Sequence, residues 1–451
     1  MAAVCRRVTS SILLWGKYAQ LSLIYNEPLS IRCYMTSMKH LSLKNTGSPQ
    51  EPQESVKRGR EDEVMTELVR DFLDPAQFYQ AVKNIGVDFF CGVPDSLLKD
   101  FCAYVTANTS KEHHIITANE GNAVALAAGY HLATGKYGMV YLQNSGLGNI
   151  VNPVLSLAVP EVYSVPLLLL IGWRGEPGKK DEPQHQVQGK ASQKTLDAIG
   201  VPYSILPDYI EGAQQVLSSA KQHLEIIKGP YALLVKRQTF LPYKLPPDAS
   251  DIFPLNREEA LKVIVSALGE MDVTVGTTGM LSRELFEYRE AKHQGHGRDF
   301  LTVGSMGHAS AIALGIAVNK PERQVYCLDG DGAAIMHMGT MATIGQNGTT
   351  NLKHIIINNG AHDSVGGQPT DAGHHDTFFF TQIAKGCGYK EAWVATSEDD
   401  IRSGILKMKD MAGPVLMEVK VNKGARKNLG RPTTTPLENK KEFMANLEKS
   451  S

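Results

Sequence analysis

From residue 65 onward, short apolar runs alternate with helical stretches and end in turns rich in Gly, Asn and Ser. In the first half, a run from Val87 enters the turn Gly92-Val93-Pro94-Asp95. Runs at 114–117, 138–142 and 166–171 end at Ala118-Asn119-Glu120-Gly121-Asn122, Gln143-Asn144-Ser145-Gly146 and Gly172-Trp173-Arg174-Gly175, and a later run covers 231–235. Helices are predicted at 75–83, from Ser96, and over the Ala-rich 123–134. In the second half, Asn256 caps a predicted helix over 257–268. Strands follow at 273–275, 325–328, 354–357 and 415–420, with helices from His308 to Val318, after Gly332, and at 381–387. Strands alternating with helices predict parallel sheets with right-handed crossovers. The fold class is therefore α/β, with two doubly wound parallel-sheet domains.

The boundaries follow from composition. Residues 1–64 form a leader and polar linker, 65–243 the first domain, 244–255 a Pro-rich linker, 256–421 the second domain and 422–451 a basic tail. A chain of 451 residues can bury two such cores. A net charge of −1 gives no case for nucleic acid as a partner. No apolar run is long enough for a membrane span, since 165–171 has only strand length. The six cysteines include no C-x-x-C pair and read as reduced thiols. The leader is basic and nearly free of acids, which fits a mitochondrial transit peptide.

The turns carry the candidate chemistry. Asp331 and Asn359 close neighbouring apolar runs and offer the hard oxygens that Mg²⁺ takes. Gly330 and Gly332 allow close backbone approach, and free N–H groups at the helix start suit a phosphate. Thr277 and Thr278 add hydroxyls at a third turn that can meet diphosphate oxygens. Glu120 stands where a strand hands over to an apolar helix. Shielded there, it would have a raised pKa and could share a proton with a ring nitrogen. On spacing alone, an acid serving the helix dipole is the commoner reading. His113 and His114 read as strand-edge residues. Arg174, Lys179 and Lys180 lie in a polar stretch, 174–190, that is either a solvated loop or an anion-handling one. The tail reads as a surface helix and its lead-in, or as Arg426 or Arg431 reaching back over a site.

GDG followed by NN resembles the signature of thiamine-diphosphate-dependent enzymes. The resemblance implies that Asp331, Asn359 and the carbonyl of Ala361 bind Mg²⁺, with Gly330, Gly332, Ala333, Thr277 and Thr278 around the diphosphate. ANEGNAVALAAGYHLATGK resembles the pyrimidine segment of that superfamily, which makes Glu120 the acid that acts on the aminopyrimidine. QNSGLGN is similar to its glycine-rich loop and places Gly146 at the cofactor. GSMG is similar to the turn whose bulky residue, here Met306, props thiamine diphosphate into its bent form.

With GVPDSLLKDF and INNGAHDSVGGQPT, these motifs cover nearly the whole chain after residue 65. The set is similar to the phosphonopyruvate decarboxylase family, with the sulfopyruvate branch as near relative. The short linker agrees with a member that lacks a middle domain. The implied reaction is decarboxylation of 3-phosphonopyruvate to phosphonoacetaldehyde through the cofactor's ylide, a step of phosphonate biosynthesis. Sulfopyruvate or another 2-oxoacid is the alternative. Candidate substrate residues are Asp95, Arg174, Lys179, His362, Arg426 and Arg431, with Asn119, Gln143, His308 and Asp363 as further polar groups near the reacting carbons. The family also implies a homodimer or homotetramer with Glu120 and Asp331 meeting across a subunit interface. A nicotinamide-binding Rossmann enzyme would need a complete G-x-G-x-x-G after its first strand, and the chain has none.

Overall fold

The computed structural model describes residues 72–245 and 252–449. The leader, with the transit peptide expected there, and the middle of the linker lie outside the described residues. The first half contains β1 (Val87–Gly92), β2 (His114–Ile116), β3 (Tyr137–Gln143), β4 (Leu167–Gly172), β5 (Tyr203–Ile205) and β6 (Tyr231–Val235). Its helices are α1 (Pro75–Asn84), α2 (Lys99–Asn108), α3 (Glu120–Thr134), α4 (Leu147–Pro153), α5 (Pro183–Ala198) and α6 (Ile210–Ile226). The six strands form one parallel sheet in the order β2-β1-β3-β4-β6-β5.

In the second half, β7 (Val273–Gly276), β8 (Asp299–Leu301), β9 (Val325–Gly330), β10 (Leu352–Asn358), β13 (Glu391–Ala395) and β14 (Val415–Lys420) form a second parallel sheet, ordered β13-β14-β10-β9-β7-β8. A two-stranded hairpin, β11 (Ala361–His362) with β12 (Gln368–Pro369), follows β10. The helices are α7 (Arg257–Ser266), α8 (Met280–Ala291), α9 (Ala309–Asn319), α10 (Asp331–Met336), α11 (Gly339–Asn347), α12 (Phe380–Cys387), α13 (Glu398–Asp410) and α14 (Pro436–Leu447).

Helices cover both faces of each sheet, so the central strands read as unbroken apolar runs. All six residues of β4 are buried. Alternate residues feed opposite cores: Phe90, Leu168 and Leu170 enter one, while Phe89, Val140 and Leu169 enter the other. The second sheet does the same with Tyr326, Leu328 and Ile355 against Val325, Cys327 and Ile356. Asn256 caps α7 through a reciprocal capping box with Glu259. No described helix is long and apolar enough to cross a membrane.

Four expectations change. The Ala-rich helix starts at Glu120, three residues early, because the Asn119 side chain accepts from the Gly121 N–H and caps it. The glycine-rich stretch after β3 is helical, a 3₁₀ turn at Asn144–Gly146 running into α4. The polar stretch after β4 is half helix, because α5 begins at Pro183. Gly189 on α5 lies so close to the Gly175 carbonyl that a Cβ would sit 1.8 Å from its oxygen, and Trp173 Nε1 donates to the Gly189 carbonyl at 2.9 Å. The tail helix α14 docks: Phe443 is buried, and Asn439 donates to the Asp299 carbonyl while accepting from the Leu301 N–H.

Candidate active site

The register of β9 and β10 sets Gly330 beside Ile357. Asp331, the first residue of α10, and Asn359, just past β10, therefore stand side by side at the carboxyl end of the sheet, where open α/β sheets bind ligands. Asp331 is 3% exposed. Burial pushes its carboxyl up to about 6, against the Thr370 hydroxyl and the backbone N–H groups that favour its charged form. A carboxylate held at that cost is suited to a cation.

The two asparagines do different things. Asn358 is wholly engaged in the core: its amide donates to the Ala372 carbonyl and to Glu418, and its oxygen accepts from the Gly360 N–H. Asn359 lines the cleft. Its Nδ2 donates to Asp363 at 2.6 Å and its Oδ1 accepts from the Ala361 N–H at 3.1 Å.

The cleft brings together Thr277, Thr278, Met306, Gly330, Asp331, Gly332, Ala333, Asn359, Ala361 and His362. Sequence separations of more than 80 residues collapse here onto the ends of β7, β9 and β10. Thr277 Oγ1 is buried without a hydrogen-bond partner. Such a hydroxyl calls for an acceptor, and a phosphate oxygen is one. Gly332 must lack a side chain, since a Cβ would lie 2.9 Å from the His362 ring. Burial drops the His362 imidazole to about 4, so this ring faces the cleft neutral. Met306 sits in a turn where Ser305 and Gly307 take positive φ, 51° and 86°. That turn aims the side chain at the cleft and away from the core.

In the first half, Glu120 is 5% exposed. Burial raises its carboxyl, opposed by a 2.7 Å hydrogen bond from Asn149 Nδ2 to Oε2. Gly146 abuts it: a Cβ there would lie 2.3 Å from Glu120 Oε1. This glycine makes room for the carboxylate in a helical turn, which differs from a loop draped over a ligand.

The candidate substrate residues fare less well. Asp95 is fully buried and accepts from the Leu97 and Leu98 N–H groups and from Gln143. It braces the turn into α2 and has no surface for a ligand. Arg174 grips Asp181 through Nε at 2.8 Å and Nη2 at 2.5 Å, and reaches Ser96 Oγ through Nη1 at 3.0 Å. Burial raises Asp181, but the Arg174 contact and backbone N–H donors outweigh it and hold the carboxyl well below its usual range. Arg426 is held between Glu258 and Glu287, so its charge is answered within the second half. Arg431 pairs with Glu182 and ties the tail to the first half. Lys179 is exposed. His114 opens the edge strand β2, as expected, and is half-buried: its Nε2 meets the Tyr141 hydroxyl at 2.8 Å, and burial lowers it to about 4.

The cleft also contains Arg257 and Asp363. Sequence reasoning read Arg257 as a plain helix start, because nothing in its spacing points to a turn 106 residues away. Thr370, which holds Asp331, was missed for the same reason. Every lining residue belongs to the second half, and Glu120 is not among them.

Comparison with known proteins accounts for this division. Residues 76–196 match the N-terminal TPP binding domain of thiamine pyrophosphate enzymes, and residues 274–419 match the C-terminal TPP binding domain. Over 386 residues the chain is 32% identical to phosphonopyruvate decarboxylase of Streptomyces viridochromogenes, covering 82% of this chain and 94% of that protein. The chain belongs to the thiamine pyrophosphate enzymes. A second relative of this thiamine pyrophosphate enzyme, phosphonopyruvate decarboxylase of Streptomyces hygroscopicus, is 32% identical over 80% of this chain and 90% of its own length. Sulfopyruvate decarboxylase of Methanosarcina acetivorans is 26% identical over 82% and 96%.

The donor set fits thiamine diphosphate, the cofactor of the family. An orphaned hydroxyl and close-approach glycines stand beside a carboxylate and an amide in one half, and a water-shielded carboxyl stands in the other.

Proposed function

We propose that this thiamine pyrophosphate enzyme decarboxylates 3-phosphonopyruvate to phosphonoacetaldehyde and CO₂. The observation that carries the substrate is the match to phosphonopyruvate decarboxylase along 94% of that protein's length, in a chain with two sheets joined by a short linker. Bound thiamine diphosphate supplies the carbanion that attacks the keto carbon and the electron sink that receives the pair left by CO₂.

The chain's residues bind, orient and exclude water. Asp331, Asn359 and the Ala361 carbonyl would hold Mg²⁺, and Thr277 and Thr278 the diphosphate. Met306 would support the bend. Glu120, shielded from water and with its carboxyl raised by burial, would face the aminopyrimidine and exchange a proton with it. A neutral His362 adds a polar group to the cleft without a competing charge.

The cleft in the second half contains nothing from Glu120's neighbourhood. This supports a homodimer or homotetramer in which the first half of one copy faces the second half of another. The basic, acid-poor leader supports delivery to the mitochondrion.

The phosphonate needs cations. Lys179 is open to solvent, whereas Arg174, Arg426 and Arg431 each already face a carboxylate. The test is CO₂ and aldehyde release from phosphonopyruvate, sulfopyruvate and pyruvate, with and without thiamine diphosphate and Mg²⁺. Cofactor-dependent turnover of phosphonopyruvate above the others is expected. Preference for sulfopyruvate would discard the phosphonate and keep the cofactor roles.

A further inference from the structure

We infer that Asp363 is a positioning residue for the cation site: it sets which face of the Asn359 amide looks into the cleft. The inference rests on the reading that Asn359 and Asp331 hold Mg²⁺.

One oxygen of Asp363 collects three donors. Oδ2 accepts from Asn359 Nδ2 at 2.6 Å, from Arg257 Nη1 at 2.8 Å and from the Gly424 N–H at 3.1 Å. The three come from different parts of the chain: the turn after β10, the first residue of α7 and the segment after β14. Arg257 is itself fixed. It is 7% exposed, and its Nε and Nη2 grip Glu284, which is 1% exposed, at 3.0 and 2.8 Å. The carboxylate of Asp363 is thus anchored from the core side by a guanidinium that cannot turn.

The consequence for Asn359 is chemical. An ionised carboxylate only accepts hydrogen bonds, so the amide atom facing it must be the NH₂. That sends Oδ1 the other way, where the Ala361 N–H takes one of its lone pairs and the other is left for a cation. Without Asp363 the amide could flip and point two N–H donors at the metal. Outer-shell partners of this kind orient ligands and raise their affinity for the ion.

The measurement is the Mg²⁺ concentration that half-saturates thiamine diphosphate binding, read by calorimetry on the full chain without substrate. Asp363→Asn is expected to raise it by about 10–100-fold. Asp363→Glu, which keeps the charge, is expected to recover a substantial part of that loss. Glu284→Gln loosens Arg257 without touching Asn359 and serves as the stability control. It should lower the urea midpoint and move the Mg²⁺ requirement far less than Asp363→Asn does.

A half-saturation within twofold of wild type in Asp363→Asn would overturn the inference, whatever its stability. If Asp363→Asn fails to fold, Asp363→Glu carries the same test, with an unchanged Mg²⁺ requirement as the contrary result. Asp331→Asn separates the two levels. If it leaves the Mg²⁺ dependence intact, the cation site itself is misplaced. If it abolishes the dependence while Asp363→Asn does not alter it, only the positioning role fails.

Discussion

The first sheet runs β2-β1-β3-β4-β6-β5. The second, numbered from its own first strand and leaving the hairpin aside, reads β8-β7-β9-β10-β14-β13 from its other edge, the same 2-1-3-4-6-5 order. One topology therefore appears twice in the chain, and its carboxyl ends are furnished differently. After the third strand the first half has Asn144-Ser145-Gly146, which makes room for Glu120. The second half has Asp331-Gly332 at the same place, which lines the cleft. After the second strand the first half starts a helix on a buried carboxyl, while the second half turns through Met306. One half contains a buried carboxyl raised by desolvation, and on the proposed reading the other would supply oxygens for a cation and donors for phosphate. The cleft is lined by the second half alone, and the proposed symmetric pair would bring the first half of another copy to it.

The sharpest way to break this division of labour is to remove each half's carboxyl in turn. Glu120→Gln should lower turnover by about 10²–10⁴-fold, the range for a lost general acid. Thiamine diphosphate binding measured by calorimetry should change little. Asp331→Asn should do the reverse and weaken cofactor binding itself, beyond the roughly 10–100-fold typical of an outer-shell partner. Equal loss of affinity in both variants would mean that the halves do not divide the work in this way.

A smaller effect is expected at the glycine that serves the acid. In Gly146→Ala the new methyl would lie 2.3 Å from Glu120 Oε1, so the carboxylate must move. Overpacking of this kind costs about 1–3 kcal/mol. Turnover should fall while the Mg²⁺ requirement stays put. A normal rate in Gly146→Ala would show that Glu120's position is not tightly set.

The smallest expected effect concerns pH and the first sheet alone. His114 titrates near 4, against an ordinary 6.5, because burial disfavours its charged form. Its folded pKa is depressed, so the stability carried by the neutral ring is present above 6.5 and is lost as pH falls through about 4. By linkage that is roughly 3 kcal/mol at most. Urea midpoints between pH 7 and pH 4 should fall less steeply in His114→Gln. An unchanged slope would locate the acid sensitivity elsewhere.

The sequence made the central strands legible because strands buried on both faces carry continuous apolar runs, as in β4 and β10. The edge strands β5, β8 and β13 were not predicted: Tyr203–Ile205 and Glu391–Ala395 are only partly buried, and Asp299–Leu301 is too short to form an apolar run. Helix α6, which buries Leu217 and Leu224 beside Gly212, Ala213 and Ala220, was also not predicted. At the site, Asp331, Asn359 and Thr277 were readable because each closes an apolar run. The residues that hold them were not. Arg257 and Thr370 act across sequence gaps of 106 and 39 residues, and only the folded register brings them to their partners. The arginines were visible as charges, but their carboxylate partners were not, which is why Arg426 read as a substrate cation and stands between Glu258 and Glu287.

The most direct test of the divided site joins the two disabled halves. A Glu120→Gln chain and an Asp331→Asn chain, each inactive alone, would be co-expressed with different tags and purified as a mixed pair. If the first half of one copy works with the second half of the other, each mixed dimer contains one intact site and one doubly altered site, and about half of wild-type turnover should return. No recovery in a mixed pair that still binds thiamine diphosphate would contradict the account and place both carboxylates in a site built by a single chain.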